Sequence, residues 1–186
     1  FAKRYGRDMV RGVVMDVTSE AAVIAAVEYT VAEYGGLDVL VNNAGITSAA
    51  AVEDTTLEMW NKTMDILATG YFLVGREGYR VLKAQGIGGS MVFISSKNGV
   101  AASPGASAYC TAKAAEIHLA RCMALEGAPM GIRVNVVNPD AVLRGSKIWK
   151  GEWSEQRAAS NKIAVSDLEE HYRKRSLLQR SVFPED

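Results

Sequence analysis

The chain has 186 residues, in which 21 lysines and arginines balance 21 aspartates and glutamates. It shows no basic stripe and no charged tail, which excludes an electrostatic nucleic-acid binder. Its apolar runs are too short to cross a membrane, and two cysteines make no disulfide framework, which favours a cytoplasmic protein. Two histidines and two cysteines, scattered along the chain, predict no metal site.

Short apolar segments alternate with helical patterns, which is typical of a parallel α/β sheet with helices on both faces. The first half predicts a strand at 10–17, a helix between Ser19 and Gly35, a strand at 37–41 and a long helix from a capping box at 55–58 to about residue 84. The second half predicts a strand at 90–95, a helix at 107–126, a strand at 132–137 and a polar helix from a capping box at 166–169 to about residue 174. Residues 140–165 are expected to form an irregular or helical excursion over the sheet edge.

Tyr109 and Lys113 are four residues apart at the start of a predicted helix, so their side chains share one helix face. A free tyrosine titrates near pH ~10, which makes it a poor base at neutral pH. A cation one turn away favours the phenolate, and a tyrosine with a lowered pKa is a suitable general base for an alcohol proton. By itself this spacing is common on exposed helix surfaces.

Further polar groups follow two predicted strands. Ser96 ends the strand that lies before Tyr109, and Asn42-Asn43-Ala44-Gly45 ends the preceding strand. Because the carboxyl ends of parallel strands meet at one edge of a sheet, these groups should face a single crevice. The order of N-N-A-G, S-S, Y-x-x-x-K and N-P closely resembles the short-chain dehydrogenase/reductase family along essentially the whole chain.

This resemblance implies a Rossmann-type doubly wound parallel sheet and an oxidoreductase that transfers a hydride between NAD or NADP, with NAD favoured, and a small polar alcohol or aldehyde. It implies that Ser96 hydrogen-bonds the substrate oxygen and that Tyr109 passes the proton. It also implies that Lys113 lowers the pKa of the tyrosine and holds the nicotinamide ribose.

The resemblance also assigns cofactor-binding residues along the chain. Those expected to contact the cofactor are Asp16 and Val17 beside the adenine, Asn42, Ala44 and Gly45 beneath the adenosine ribose, Tyr109 and Lys113, and Pro139 and Val142 at the nicotinamide end. For Asn42 and for Asp16, an ordinary turn residue at the end of a strand stays an open alternative.

Two departures from the family pattern bear on mechanism and substrate. Leu67 stands where the family usually has an Asn that holds a water of the proton relay, which puts the relay route in doubt. Asp140 follows Pro139 where a Gly is usual, and Lys97 and Asn98 bring further polar groups to the same crevice. A polar, hydroxylated substrate is the natural inference.

A narrower resemblance rests on residues 95–98, 138–146 and 149–153. These runs look like the dehydrogenase half of bifunctional rhamnulose-1-phosphate aldolase/alcohol dehydrogenases, which implies rhamnose metabolism, an aldolase half N-terminal to this one and lactaldehyde as the substrate. Oxidation of an aldehyde usually uses a cysteine nucleophile, and Cys110 lies beside Tyr109. A small helix residue facing the scaffold is the favoured interpretation of Cys110, so proton abstraction by Tyr109 without a covalent intermediate is expected.

The sequence lacks the phosphate-cradling G-x-x-x-G-x-G motif with which the family opens. Residues 1–186 are therefore expected to be a single domain that is truncated at both ends and lacks its first two strands. The strands at 10–17 and 37–41 should then be separated by a gap rather than paired, so the chain alone should not form a self-sufficient cofactor-binding domain. The rival interpretation is a catalytically silent nucleotide-sensing or scaffold domain on the same fold.

A homo-oligomer is expected to assemble through the two long helices, as the family commonly does. The residues predicted to lie on their outward faces are Met64, Leu67, Tyr71, Ile117, Ala120 and Ala124.

Overall fold

The computed structural model describes residues 2–6, 8–146, 149 and 151–185. Three parallel strands, Val39–Asn42 (β1), Gly89–Ile94 (β2) and Ile132–Val137 (β3), form one sheet in the order β1-β2-β3. The α/β class and the strands predicted near residues 37, 90 and 132 are thereby confirmed. Their edges differ from the prediction by no more than two residues.

The helices of the described residues are Ala2–Tyr5 (α1), Glu20–Tyr34 (α2), Leu57–Met64 (α3), Gly70–Gln85 (α4), Ser107–Gly127 (α5), Glu152–Asn161 (α6) and Leu168–Arg175 (α7). A π-helical turn, Asp65–Thr69, joins α3 to α4, so the long helix predicted there is confirmed with one irregular turn in it. Helix α6 falls inside the predicted helical excursion at 140–165.

Side-chain caps explain where the first long helices begin. The Ser19 hydroxyl accepts from the Ala22 N–H at the start of α2, as the sequence predicts. Two predicted caps are wrong in detail. Thr56 rather than Thr55 caps α3, because the Thr55 hydroxyl donates to a preceding carbonyl instead. Helix α7 begins at Leu168, after a short 3₁₀ turn that contains Ser166.

Helices α4 and α5 pack on one face of the sheet and form its main core with β2 and β3. The buried members of this core are Tyr71, Leu82, Met91, Phe93, Ala120, Met123 and Ile132. Glycines in α4 set the packing distance: a Cβ added to Gly75 would lie 3.0 Å from the Phe93 ring, and one added to Gly78 would lie 2.7 Å from Leu40. The helix can therefore approach the strands more closely than any side chain would allow.

The opposite face of the sheet carries exposed valines. Val39 and Val41 of β1 are 56% and 57% exposed, and Val137 of β3 is 48% exposed. In a strand, alternate side chains point to opposite faces, so these residues project away from α4 and α5. The sheet thus presents one face packed against helices and another with apolar side chains open to solvent.

The prediction of a strand at 10–17 is wrong. These residues form no strand, and β1 is an edge strand of the sheet. A strand requires a hydrogen-bonded neighbour, and none of the described strands lies beside this segment. Met15 and Val17 instead pack against a small cluster around Val23 of α2 and Leu73 of α4. The expected lack of pairing between this segment and β1 is confirmed.

A second hydrophobic cluster lies in the last third of the chain. Ala141, Ala158, Leu168 and Tyr172 are its buried members, with Leu143, Trp149 and Ile163 packed around them. This cluster joins the segment after β3 to α6 and α7, and it is separate from the core of the sheet.

We expect Gly99→Ala to destabilise the fold. Gly99 lies in the turn after β2, where an added Cβ would be 2.6 Å from the Lys113 carbonyl oxygen and 2.7 Å from the Ile117 side chain of α5. Overpacking of this kind costs about 1–3 kcal/mol of unfolding free energy, which thermal denaturation would measure as a lower Tm. Gly12→Ala is the control, because nothing lies within 4 Å of its added Cβ. An unchanged Tm for Gly99→Ala would contradict the packing described.

Candidate active site

The carboxyl ends of β1, β2 and β3 open into a cavity of about 300 Å³. Its lining combines the turns after all three strands with residues of α4, α5 and α6. Its lining residues include Ala44, Gly45, Tyr71, Ser96, Lys97, Asn98, Tyr109, Lys113, Pro139, Asp140, Val142, Trp149, Trp153 and Arg157. The single crevice expected from the parallel topology is therefore present.

Ser96 is held at the cavity by the pairing of β2 with β3. The Ser95 N–H donates to Val137 and the Lys97 N–H donates to Pro139, which extends the ladder beyond the strands. Ser96 then caps a short 3₁₀ turn, and its hydroxyl oxygen accepts from the Asn98 N–H at 3.1 Å. The Ser96 hydroxyl also interacts with the phenol of Tyr109, which joins these two side chains at the cavity.

Tyr109 and Lys113 reach the cavity from the first turns of α5. Their spacing places both on the face that meets β2 and the turn after it. The Lys113 Nζ lies 5.9 Å from the centre of the Tyr109 ring. Ser96, Tyr109 and Lys113, which the sequence predicts to act together, therefore line one cavity.

The Lys113 ammonium is buried and hydrogen-bonded to two groups. It donates to the Ile94 carbonyl at 3.1 Å and to the two carboxylate oxygens of Glu116 at 2.9 and 3.0 Å. The Tyr71 hydroxyl donates to the same Ile94 carbonyl at 2.7 Å, so α4 and α5 both reach the last residue of β2. Glu116 itself is 0% exposed.

Burial controls the acid–base properties of this group of residues. It raises the pKa of Tyr109, an effect that the nearby hydroxyl of Ser96 opposes and the charge of Glu116 reinforces. Burial also lowers the pKa of Lys113 and raises the pKa of Glu116, while the attraction between these two residues acts against both shifts.

The lowered pKa of Tyr109 that was expected beside Lys113 is not found in this arrangement. The pKa of Tyr109 is raised, because the phenol is buried and the Lys113 ammonium is directed to Glu116 and Ile94. A cation whose charge is balanced by a carboxylate at hydrogen-bond distance exerts little net field on a third group.

The predicted cofactor residues divide into two groups. Ala44, Gly45, Pro139 and Val142 line the cavity together with Tyr109 and Lys113. Asn42 does not, because its side chain is buried and donates to the Tyr71 carbonyl at 3.1 Å. The structure thus gives Asn42 a structural bond between β1 and α4, in line with the alternative left open by its sequence position.

Asp16 and Val17 also lie outside the cavity. The Asp16 carboxylate accepts from the backbone and the hydroxyl of Thr18, and these hydrogen bonds lower its pKa. It borders a separate open depression beside α3, whereas Val17 packs on α2 and α4.

Several residues in or beside the cavity were missed by the sequence reasoning. Glu116 is three residues from Lys113 and hence on the same helix face, a spacing that could have drawn attention to it. Trp149, Trp153 and Arg157 form an aromatic and cationic wall from α6 and the segment before it. The rings of Trp153 and Tyr109 lie 6.2 Å apart, and the Arg157 guanidinium lies 5.6 Å from the Trp153 ring.

Polar residues border the rest of the cavity. The Lys97 ammonium lies 3.7 Å from the Asp140 carboxylate, across the ends of β2 and β3. The Asn98 side chain accepts from the Ser103 hydroxyl at 3.0 Å. Leu67 is 0% exposed, so this residue presents a buried apolar side chain where the family usually has an amide.

The predicted outward faces of the long helices need correction. Leu67, Tyr71, Ile117 and Ala120 are buried, because this side of each helix faces the sheet and the neighbouring helix. Among residues 2–6, 8–146, 149 and 151–185, no group of three potential metal ligands is found, and no described helix is long and apolar enough to span a membrane.

A parallel sheet with helices packed against it and a polar cavity at its carboxyl edge is the arrangement of a Rossmann-type nucleotide-binding domain. The chain belongs to the short-chain dehydrogenase family, whose model, described as short chain dehydrogenase, matches residues 2–156.

Two relatives illustrate how much of a longer protein the chain represents. It is 52% identical over 182 residues to an uncharacterized oxidoreductase, YuxG, of Bacillus subtilis (strain 168), and the match covers 98% of the chain and 26% of that protein. It is 39% identical over 164 residues to a 3-alpha-(or 20-beta)-hydroxysteroid dehydrogenase of Mycobacterium bovis, with 87% of the chain and 63% of that protein covered. The chain thus spans less than two thirds of either relative.

Solved structures show the same fold. Sorbitol-6-phosphate 2-dehydrogenase SrlD from Erwinia amylovora is 28% identical with a TM-score of 0.91, over 98% of the chain and 70% of that structure. A xylitol dehydrogenase with bound NAD⁺ is 31% identical with a TM-score of 0.80, over 91% of the chain and 66% of that structure.

Proposed function

We propose that this chain carries the catalytic residues of an NAD(P)-dependent oxidoreductase that interconverts a small polar alcohol and its carbonyl compound. The observation that carries the proposal is the meeting of Ser96, from the end of β2, with Tyr109 and Lys113, from α5, in one cavity. A hydroxyl donor, a phenol and a buried ammonium together are the groups that an alcohol-to-carbonyl reaction requires.

The cavity suits the nicotinamide end of the cofactor. Ala44, Gly45, Pro139 and Val142 supply small or apolar walls, and Lys113 offers the only buried ammonium among the residues described as lining the cavity. When bound, the cofactor accepts a hydride from an alcohol or gives one to a carbonyl. We favour NAD, which the related xylitol dehydrogenase structure contains.

Ser96 and Tyr109 then have separate tasks. Ser96 donates its hydroxyl hydrogen to the substrate oxygen and orients it. Tyr109 removes the hydroxyl proton during oxidation, and it returns a proton to the oxygen during reduction. Lys113 places its ammonium beneath the phenol ring, where it stabilises negative charge near the ribose and the substrate.

We expect Tyr109→Phe to abolish turnover while cofactor affinity stays nearly unchanged, because only the group that carries the proton is removed. Steady-state kinetics of the full-length protein should show a loss of kcat of ~10²–10⁴-fold, the usual effect of one acid–base residue. Retention of more than about a tenth of wild-type kcat would show that Tyr109 is not that residue. A wild-type protein that binds NAD(P) but turns over no alcohol would favour the rival silent nucleotide-sensing or scaffold domain.

The raised pKa of Tyr109 predicts opposite pH dependence for the two directions. Because burial makes the phenolate unfavourable, Tyr109 holds its proton at neutral pH. The kcat/KM for alcohol oxidation should therefore rise about tenfold per pH unit below that pKa, whereas carbonyl reduction should stay level there. Initial rates in both directions over a pH series would measure this. Oxidation that is independent of pH across the neutral range would contradict it.

A polar substrate is favoured by the groups around the cavity. Lys97, Asp140 and Arg157 bring charges to its border. The Trp153 indole nitrogen is buried and has no hydrogen-bond partner among the described residues. A buried N–H without a partner costs free energy, so a substrate hydroxyl that accepts from it would be recognised. We therefore propose a small hydroxylated alcohol or hydroxyaldehyde.

Lactaldehyde is our narrower candidate within this class. It is a small molecule with a hydroxyl beside its carbonyl, and the sequence runs that suggested rhamnose metabolism include Asp140 and Trp153. We further propose that the full-length protein is a cytoplasmic enzyme that also carries a rhamnulose-1-phosphate aldolase half. The two activities would then act in the breakdown of one sugar. The extent of the YuxG relative, most of which lies outside the match, supports a partner region.

Trp153→Phe tests the substrate class. The change removes the indole N–H and keeps an aromatic ring against Tyr109, so one hydrogen bond of about 0.5–1.5 kcal/mol should be lost. The KM for a substrate with a second hydroxyl should rise about 2–13-fold, while a simple primary alcohol should be unaffected. Trp60→Phe, in α3 and outside the cavity lining, is the control. Equal effects on both substrates would refute recognition by the indole.

We still expect a homo-oligomer, but one whose subunits meet through a different surface of the long helices from the one predicted. The exposed sides of α4 and α5 form a groove of about 300 Å³ that includes Phe72, Tyr79, Leu119 and Met123. We propose that this surface meets a second copy, which light scattering of the full-length protein would test.

A further inference from the structure

Glu116 is a buried ionisable group that the proposed reaction does not use. It is 0% exposed in the middle of α5, one turn beyond Lys113. Both of its carboxylate oxygens accept from the Lys113 ammonium, at 2.9 and 3.0 Å. Removing a carboxylate from water is costly, so an ion pair at this depth reflects a specific arrangement rather than a surface contact.

The described side-chain and backbone partners of Lys113 are two groups. They are the Glu116 carboxylate and the Ile94 carbonyl, which hold the ammonium between β2 and α5. The position of the ammonium therefore depends on Glu116 and on one backbone carbonyl.

We infer that Glu116 is a positioning residue for the reaction: it holds the Lys113 ammonium beneath Tyr109 and keeps it protonated. This inference rests on the proposed function, in which Lys113 and Tyr109 act together. Glu116 does not touch the cavity, so it acts through Lys113 and not on the substrate.

Above its own pKa, which burial raises to about 7, Glu116 is charged and affects two titrations that bear on alcohol oxidation. It favours the protonated form of Lys113, and it disfavours the phenolate of Tyr109. Its removal should let Lys113 lose its proton at lower pH, since a buried lysine without a counter-ion has a lowered pKa. It should also let Tyr109 ionise at lower pH. Both limbs of the pH–rate profile for alcohol oxidation should then move in the acid direction.

Other ionisable groups around Lys113 and Glu116 do not change the expected direction of these shifts. Tyr71, from α4, has its pKa raised by burial and then by the charge of Glu116, so it stays neutral. Cys110 of α5 lies near Tyr109 and raises its pKa as a lesser cause. Lys97, in the turn after β2, is paired with Asp140, which follows β3.

The test is Glu116→Gln in the full-length protein, which keeps the shape of the side chain and removes its charge. The pH optimum for alcohol oxidation should move to lower pH by about one unit or more. Glu116→Asp, which keeps the charge on a shorter side chain, should restore most of the wild-type optimum. Glu28→Gln, at an exposed site in α2, is the matched control and should leave the profile unchanged.

A second measurement separates this inference from the proposed function. The ammonium of Lys113, followed by NMR of isotope-labelled lysine with Lys113→Arg for assignment, should titrate at lower pH in Glu116→Gln than in wild type. This readout needs no turnover, so it stands even if the protein oxidises no alcohol. Circular dichroism confirms that each variant is folded, and Glu116→Met, which also removes the charge, replaces Glu116→Gln if that variant is not.

Three results would overturn the inference. They are an unchanged pH profile in Glu116→Gln, a shift of the profile in the alkaline direction, and a Lys113 titration that is the same with and without the Glu116 charge. If Glu116→Gln does not fold, the same three results in Glu116→Met have the same meaning.

Discussion

A lysine ammonium inside a protein requires charged and polar partners, because the loss of its hydration is otherwise too costly. Lys113 meets this requirement with Glu116 from its own helix and with the last carbonyl of β2. Tyr71 of α4 uses that same carbonyl. One backbone oxygen at Ile94 therefore ties β2 to both long helices, and the place of Tyr109 follows from it.

The parts of the fold that could be predicted from the sequence are those with a local cause. Helix α5 and strand β3 have regular apolar spacing and clear end signals, so their predicted and observed limits nearly coincide. The segment at 10–17 is equally apolar, yet it forms no strand, because a strand depends on pairing with residues far away in sequence. Apolar spacing indicates what a segment can form and does not show that a neighbour is present.

The position of the candidate site in the sheet could be predicted, because it follows from the parallel topology. Parallel strands bring their carboxyl ends together, which was enough to place Ser96, Tyr109 and Lys113 in one cavity. The sign of the shift in the pKa of Tyr109 could not be predicted, since it depends on burial and on where the lysine points. The prediction of which residues lie on the outward faces of the long helices was wrong for a related reason. An apolar stripe on a helix does not show whether it faces a sheet or a second copy of the chain.

The cavity is bounded by two regions of very different tolerance to change. On one side, glycines of α4 meet the strands so closely that an added methyl group has no space. On the other side, Trp149 and the residues of α6 belong to a separate small cluster that does not support the sheet. Variation of the α6 side can reshape the cavity while the proton-transfer residues keep their geometry. A library aimed at new alcohol substrates should therefore be confined to the segment from Leu143 to Tyr172, with Val142, α4 and α5 left untouched.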